Sequence, residues 1–193
     1  PTNKVLDTCA APGGKTTHIA SYLEPSKGGR VDALDLYEHK LKKIQENAKR
    51  LQVDDCISMR VLDARNVQEA YQAESFDAVF VDAPCSGLGL VRRKPDIKYT
   101  KSLKDLKSLE KIQLEILLSA SKMVKSKGSL VYSTCTINKA ENRELVNQFL
   151  EVNPAFEIEP IGNWIHKDTE DITILPNDFN SDGFYICKLV KKS

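Results

Sequence analysis

Asp7-Thr8-Cys9-Ala10-Ala11-Pro12-Gly13-Gly14-Lys15-Thr16-Thr17 follows the apolar run Lys4–Asp7 and leads into a helical pattern over Thr16–Leu23. A glycine-rich turn between a strand and a helix lets a ligand approach the backbone and presents free N–H groups at the helix start. The stretch therefore points to an α/β protein with a nucleotide-like cofactor at its first turn. A phosphate-binding P-loop requires glycine at the position that Cys9 occupies, so Gly14-Lys15-Thr16 is a near miss. A dinucleotide fingerprint requires G-x-G-x-x-G, and Gly13-Gly14 is an adjacent pair instead. A tight turn without any ligand stays open on this run alone.

Outward from that turn, apolar runs alternate with helical patterns along the whole chain, as in stacked βαβ units around a mostly parallel sheet. Strands are expected at Lys4–Asp7, Arg30–Asp35, Ile57–Leu62, Phe76–Asp82 and Ser129–Thr134, with weaker ones near Phe156–Glu159 and Gly183–Val190. Leu41, Ile44, Ala48 and Leu51 fall at helical spacing in Glu38–Leu51. Ser102–Lys125 reads as the longest helix, opened by Ser102 three residues before Asp105. A third helix is expected from Asn138 to Val152, with Asn138 three before Glu141 and Pro154 beyond its end. The polar stretch 160–182 reads as a long loop.

The 193 residues suit one domain, expected to span 1–193. A strand so close to the first residue suggests a fragment of a longer protein. Twenty-eight Lys and Arg against 27 Asp and Glu leave a net charge of +1, so any nucleic-acid contact must rest on a local basic patch. Five scattered cysteines make neither a disulfide framework nor a zinc site and fit a reducing cytoplasm. His18, His39 and His166 fit no metal site, and Trp164 reads as packing. No export signal and no run of about 18 apolar residues is visible, so neither a membrane nor a metal is expected as a partner. A monomer is the default.

Four further strand ends carry chemistry. Asp35, about twenty residues after the glycine turn, can accept hydrogen bonds from both hydroxyls of a ribose. Asp63 repeats the pattern at the third strand, where it or its neighbours can face an adenine amino group. Asp82-Ala83-Pro84-Cys85-Ser86-Gly87 and Ser133-Thr134-Cys135-Thr136 each place a cysteine just past a central strand. One such cysteine is commonly an inert small hydrophobe; two beside a cofactor turn are less easily dismissed. A thiolate adding to carbon 6 of a pyrimidine makes an enamine of the ring, so that carbon 5 can take a methyl group. Asp82 is placed to protonate or hydrogen-bond ring N3. The residues alone do not rank Cys85 against Cys135 as the nucleophile.

At these motifs the chain resembles the RNA cytosine-5 methyltransferases of the bacterial RsmB (Sun) and eukaryotic Nop2/NSUN type, over nearly its whole length. Asp7 to Thr16 carries the most specific match, and Asp82-Ala83-Pro84-Cys85-Ser86, Thr134-Cys135, Arg92-Arg93-Lys94-Pro95-Asp96-Ile97-Lys98 and Ser181-Asp182-Gly183-Phe184-Tyr185 complete it. The resemblance implies a Rossmann-like Class I fold with a seven-stranded sheet, S-adenosyl-L-methionine as cofactor, and small-subunit (16S) ribosomal RNA as substrate. It implies a cofactor loop of Cys9, Ala10, Ala11, Pro12, Gly13, Gly14 and Lys15, with Asp35 on the ribose, Asp63 by the adenine, and Asp82 between cofactor and cytosine. It makes Cys135 the nucleophile and Cys85 the residue that assists product release. It also implies an N-terminal RNA-binding region outside this chain.

Arg92, Arg93, Lys94, Lys98, Lys101 and Lys104 cluster after the Cys85 motif, with Tyr99 among them. Beside such a site they are expected to hold phosphates around an extruded base. Two other readings stay open: a methyltransferase for a protein or DNA acceptor, and a non-catalytic RNA-binding module.

Overall fold

The computed structural model describes residues 2–100, 102–162 and 169–193. Val5 and Leu6 show how the sheet is built. Successive side chains of a strand point to opposite faces, and these two enter different apolar clusters. Strand β1 (Lys4–Asp7) leads through the glycine turn to helix α1 (Gly14–Ala20), then β2 (Arg30–Asp35), α2 (Glu38–Leu51), β3 (Ile57–Val61) and β4 (Phe76–Asp82). Helices α3 (Ile97–Thr100) and α4 (Leu103–Ser121) precede β5 (Val124–Thr134), and α5 (Arg143–Val152) precedes β6 (Phe156–Ile158), β7 (Asp171–Ile174) and β8 (Phe184–Lys191).

The strands run in the order β3-β2-β1-β4-β5-β8-β6. The first five are mutually parallel, and β8 is antiparallel to β5. Helices cover both faces. Leu41, Ile44 and Ala48 of α2 pack with Val5, Val31 and Ala33, while Leu117, Ala120, Leu145 and Phe149 of α4 and α5 pack with Leu6, Val79 and Leu130 on the other side. This is the expected α/β architecture with a mostly parallel sheet. Strand order reverses between β1 and β4, and in open sheets of this kind ligands lie at such a switch point beyond the carboxyl ends of the strands.

Four differences from the sequence reading have local causes. Seven strands form the hydrogen-bonded path, but an eighth, β7, lies inside the stretch read as loop. It pairs with the Phe184–Cys187 part of β8, beside β6 on the same edge. Its four residues are too few to show a period against their polar surroundings. Helix α4 keeps its Ser102/Asp105 capping box but stops at Ser121, because Val124 already pairs with Phe76 at the start of β5. The Asn138–Val152 helix is broken: Asn138 caps a short turn over Lys139–Glu141, Asn142 is non-helical, and α5 starts at Arg143. Leu51, which falls at the helical spacing of Glu38–Leu51, is exposed at the end of α2. Trp164, His166 and Lys101 lie outside the described residues. Among the described residues, no helix is long and apolar enough to cross a membrane.

Candidate active site

The turn after β1 is fixed from both neighbouring strands. The Thr8 amide donates to Phe80 O on β4 (3.0 Å), and the Ala10 amide donates to Leu34 O on β2 (2.8 Å). Gly13 has φ +102°, and a Cβ there would stand 3.0 Å from Ile44 Cα, so glycine lets the turn lie directly on α2. Gly14, by contrast, has open space where a Cβ would be. Beneath the turn, the Asp7 carboxylate is 1% exposed and accepts from the Thr16 hydroxyl at 2.7 Å. Burial raises its pKa to about 6, against the lowering influence of Thr16 and Lys15.

Asp35 ends β2 and accepts at 3.3 Å from the Ala11 amide of the turn and from the Tyr37 amide. Its carboxylate thus ties the end of β2 to the glycine turn. Asp63 follows β3 but is already engaged. It caps the next turn through the Arg65 amide (2.9 Å), and its carboxylate takes the Arg65 guanidinium at 2.7 Å. Those Arg65 hydrogen bonds hold its pKa below the usual range. A cleft of about 410 Å³ joins Cys9, Asp35, Asp63 and Asp82, walled by Pro84, Ile112 and Ile116. Burial pushes the Cys9 thiol up to about 12, which leaves it inert.

Asp82 ends β4 opposite Ser133 of β5. Its Oδ1 accepts from Ser133 Oγ at 2.9 Å, and its Oδ2 pairs with the ammonium of Lys15, so the glycine turn and the two central strands meet on one carboxylate. Beyond it, Cys85 Sγ and Cys135 Sγ stand 3.2 Å apart, both partly exposed. The contact splits their acidities. The Cys85 hydrogen bond is the main cause that lowers Cys135 to about 7, with Lys15 helping and burial and Asp82 opposing. The Cys85 thiol is pushed well above its ordinary value, first by that same bond and then by burial.

The basic loop is anchored here as well. The Gly89 amide donates to Cys135 O (3.0 Å), and the Gly183 amide donates to Gly89 O (2.8 Å). Arg92 bonds Asn180 and Arg93 pairs with Asp182, while Lys94 and Lys98 are exposed.

The model of the 16S rRNA methyltransferase RsmB/F family matches residues 1–190. The chain belongs to the RsmB/F family. The probable ribosomal RNA small subunit methyltransferase B of Bacillus subtilis (strain 168) is 45% identical, over 97% of this chain and 43% of that protein. Among solved structures, PH0851 superposes with a TM-score of 0.91 at 31% identity, over 99% of this chain and 43% of that one. NSun6 from Pyrococcus horikoshii, solved with the S-adenosylmethionine analogue SFG, gives 0.86 at 31%, over 99% and 48%. The chain thus spans about two fifths of the length of the curated relatives it matches.

This RsmB/F chain brings Cys9 to Lys15, Asp35, Asp82, Cys85 and Cys135 to one end of the sheet, as the sequence predicts. Sequence reasoning missed Asp7, Ser133, Gly89 and Glu141. Asp7 and Ser133 stand inside the quoted motifs, but only the strand register reveals their partners. Glu141 was visible only as a presumed capping partner of Asn138.

Proposed function

We propose that this chain is the catalytic domain of an enzyme that transfers a methyl group from S-adenosylmethionine to carbon 5 of a cytosine in 16S ribosomal RNA. The observation that carries the reading is the contact of Cys135 with Cys85, next to Asp82 and the glycine turn. The relatives' names supply the substrate class.

The residues present fit the cofactor. The cleft has the volume of a small-ligand site, an acid at a strand end for the ribose diol, apolar side chains for the adenine, and a bare glycine at the helix start. Cys9 to Lys15, Asp35 and the backbone around Asp63 would hold it. When bound, S-adenosylmethionine supplies an electrophilic methyl group.

Cys135, kept acidic by its neighbour, forms the bond to carbon 6 of the cytosine and leaves carbon 5 nucleophilic. As the ring takes up negative charge, Asp82 and the Lys15 ammonium paired with it hydrogen-bond or protonate N3. With the methyl group on carbon 5, loss of the carbon-5 proton to solvent expels the Cys135 thiolate, and N3 gives back any proton it took. The Cys85 thiol, which holds its own proton, donates to that sulfur and makes it a better leaving group. Arg92, Arg93, Lys94 and Lys98 hold the phosphates flanking the target base. Such an enzyme works as a monomer in the cytoplasm, where ribosomal RNA lies.

Labelled S-adenosylmethionine and 16S rRNA, given to wild type, Cys135→Ala and Cys85→Ala, test the proposal. Loss of transfer in the first variant and a covalent RNA adduct in the second are expected. Full transfer by Cys135→Ala removes this mechanism, and transfer only to protein or DNA moves the enzyme to another acceptor class.

A further inference from the structure

Behind the two thiols lies a carboxylate that the mechanism does not use. Glu141 is 0% exposed. Its Oε1 accepts from the Ser86 amide (2.8 Å) and from Gln113 Nε2 (3.0 Å). Its Oε2 accepts from the Ser86 hydroxyl (2.5 Å), Asn138 Nδ2 (3.1 Å) and the Thr136 hydroxyl (3.3 Å). Ser86 Oγ and Thr136 Oγ1 are themselves 2.9 Å apart. Gln113 also donates to Pro84 O at 2.9 Å, which ties α4 into the same knot. Among the described residues Glu141 forms no ion pair, so neutral donors alone surround it.

Ser86 follows Cys85 directly, and Thr136 follows Cys135 directly. The triangle of Ser86, Thr136 and Glu141 therefore closes the two loops, fifty residues apart in sequence, one residue behind the sulfur contact. A buried carboxylate without a cation is a costly way to fill space, and an apolar side chain of that volume would pack at less expense. Such expense concentrates where geometry matters to function. The broken helix agrees with this. Asn142, directly after Glu141, leaves helical geometry; it accepts from the Thr134 hydroxyl (2.6 Å) and donates to Thr136 O (2.9 Å), bracketing Cys135.

We propose that Glu141 is a positioning residue for methyl transfer: it clamps the Cys85 loop to the Cys135 loop and sets the distance at which one thiol serves the other. The idea rests on the functional reading above for its role in turnover, but not for its effect on the cysteine. Glu141 touches no reacting atom. Its influence passes through Ser86 to Cys85, and from Cys85 to the nucleophile.

Alkylation of Cys135 by iodoacetamide, followed by peptide mass spectrometry from about pH 6 to about pH 9.5, reads the thiolate without RNA. In Glu141→Gln, Cys135 should react roughly tenfold more slowly at pH 7 and reach the wild-type rate at the alkaline end. The kcat for methyl transfer should fall by a similar factor at pH 7, with the KM for RNA and the cofactor Kd each within about twofold of wild type. Ser86→Ala, which removes one corner of the triangle, should move the profile the same way by less. A folded Glu141→Gln protein with the wild-type alkylation profile overturns the proposal. If that variant does not fold, an unshifted profile in Ser86→Ala overturns it. Methyl transfer by Cys135→Ala would instead remove the functional reading and leave the alkylation result standing.

Discussion

Cys85 Sγ and Cys135 Sγ stand 3.2 Å apart, and this contact lowers the pKa of Cys135 while it raises that of Cys85. A thiolate nucleophile is lost as pH falls through its pKa, and here that pKa is lowered to about 7. Cys135 alkylation and methyl transfer should therefore each fall about tenfold per pH unit below neutrality and level off above it. In Cys85→Ala the rising limb of the alkylation profile should move toward the ordinary thiol range. A profile that stays in place in that variant would show that Cys85 does not set the acidity.

Asp7 makes a prediction of the opposite sign. Its pKa in the folded protein, about 6, lies above the usual 3.8, so the folded state favours the protonated acid. The stability this confers is complete below about pH 3.8 and is lost as pH rises through about 6. Asp7→Asn should therefore gain on wild type between pH 4 and pH 7.5, by on the order of 3 kcal/mol at most. Urea unfolding of both proteins at the two pH values measures this. A difference between them that does not change with pH would refute it.

Asp35 and Asp63 should separate under calorimetry. Asp35 faces the cleft with two long backbone hydrogen bonds and the Lys40 ammonium at 3.6 Å, whereas the Asp63 carboxylate is filled by Arg65 at 2.7 Å. Asp35→Ala should weaken S-adenosylmethionine binding by roughly 1.5–3 kcal/mol, the worth of hydrogen bonds to a charged group. Asp63→Ala should cost less than about 1 kcal/mol of affinity. Equal losses would mean that Arg65 releases Asp63 to the ligand.

Gly89 tolerates no side chain. A Cβ there would lie 2.1 Å from Gly183 O and 2.8 Å from Cys135 O. Gly89→Ala should lose at least about 2 kcal/mol of stability and most of its turnover, since the backbone must part at the nucleophile. Cofactor affinity should survive, because the glycine turn lies on other strands. Thermal melts with a cofactor titration check both halves.

Arg92→Ala with Arg93→Ala should weaken RNA binding and flatten its dependence on log salt concentration by up to about 2, one step for each lost phosphate contact. Filter binding at several salt concentrations decides it, and an unchanged slope would assign both arginines wholly to Asn180 and Asp182.

The sequence reveals most where one residue answers to one constraint. The period of α2, the glycine turn, the strand-end acids and both cysteines are readable because backbone geometry or chemistry restricts them locally. What it conceals depends on partners far along the chain. Glu141 satisfies a helix-start pattern so well that the break after it goes unseen, yet its carboxylate turns inward to Ser86, fifty-five positions earlier. The end of α4 is hidden for the same reason, since only pairing with Phe76 takes Val124 into β5. Asp63 stands at the strand end where the sequence puts it, but its partner Arg65, two positions on, is not legible as one.

The amide of Gly89 holds the main chain of Cys135, and its carbonyl is held in turn by Gly183. On the proposed function, the segment that would grip the RNA and the atom that would attack it are rungs of one short ladder. An RNA strand seated wrongly on the arginines would then pull on the sulfur as well, so a wrong fit would be felt at the bond to be made.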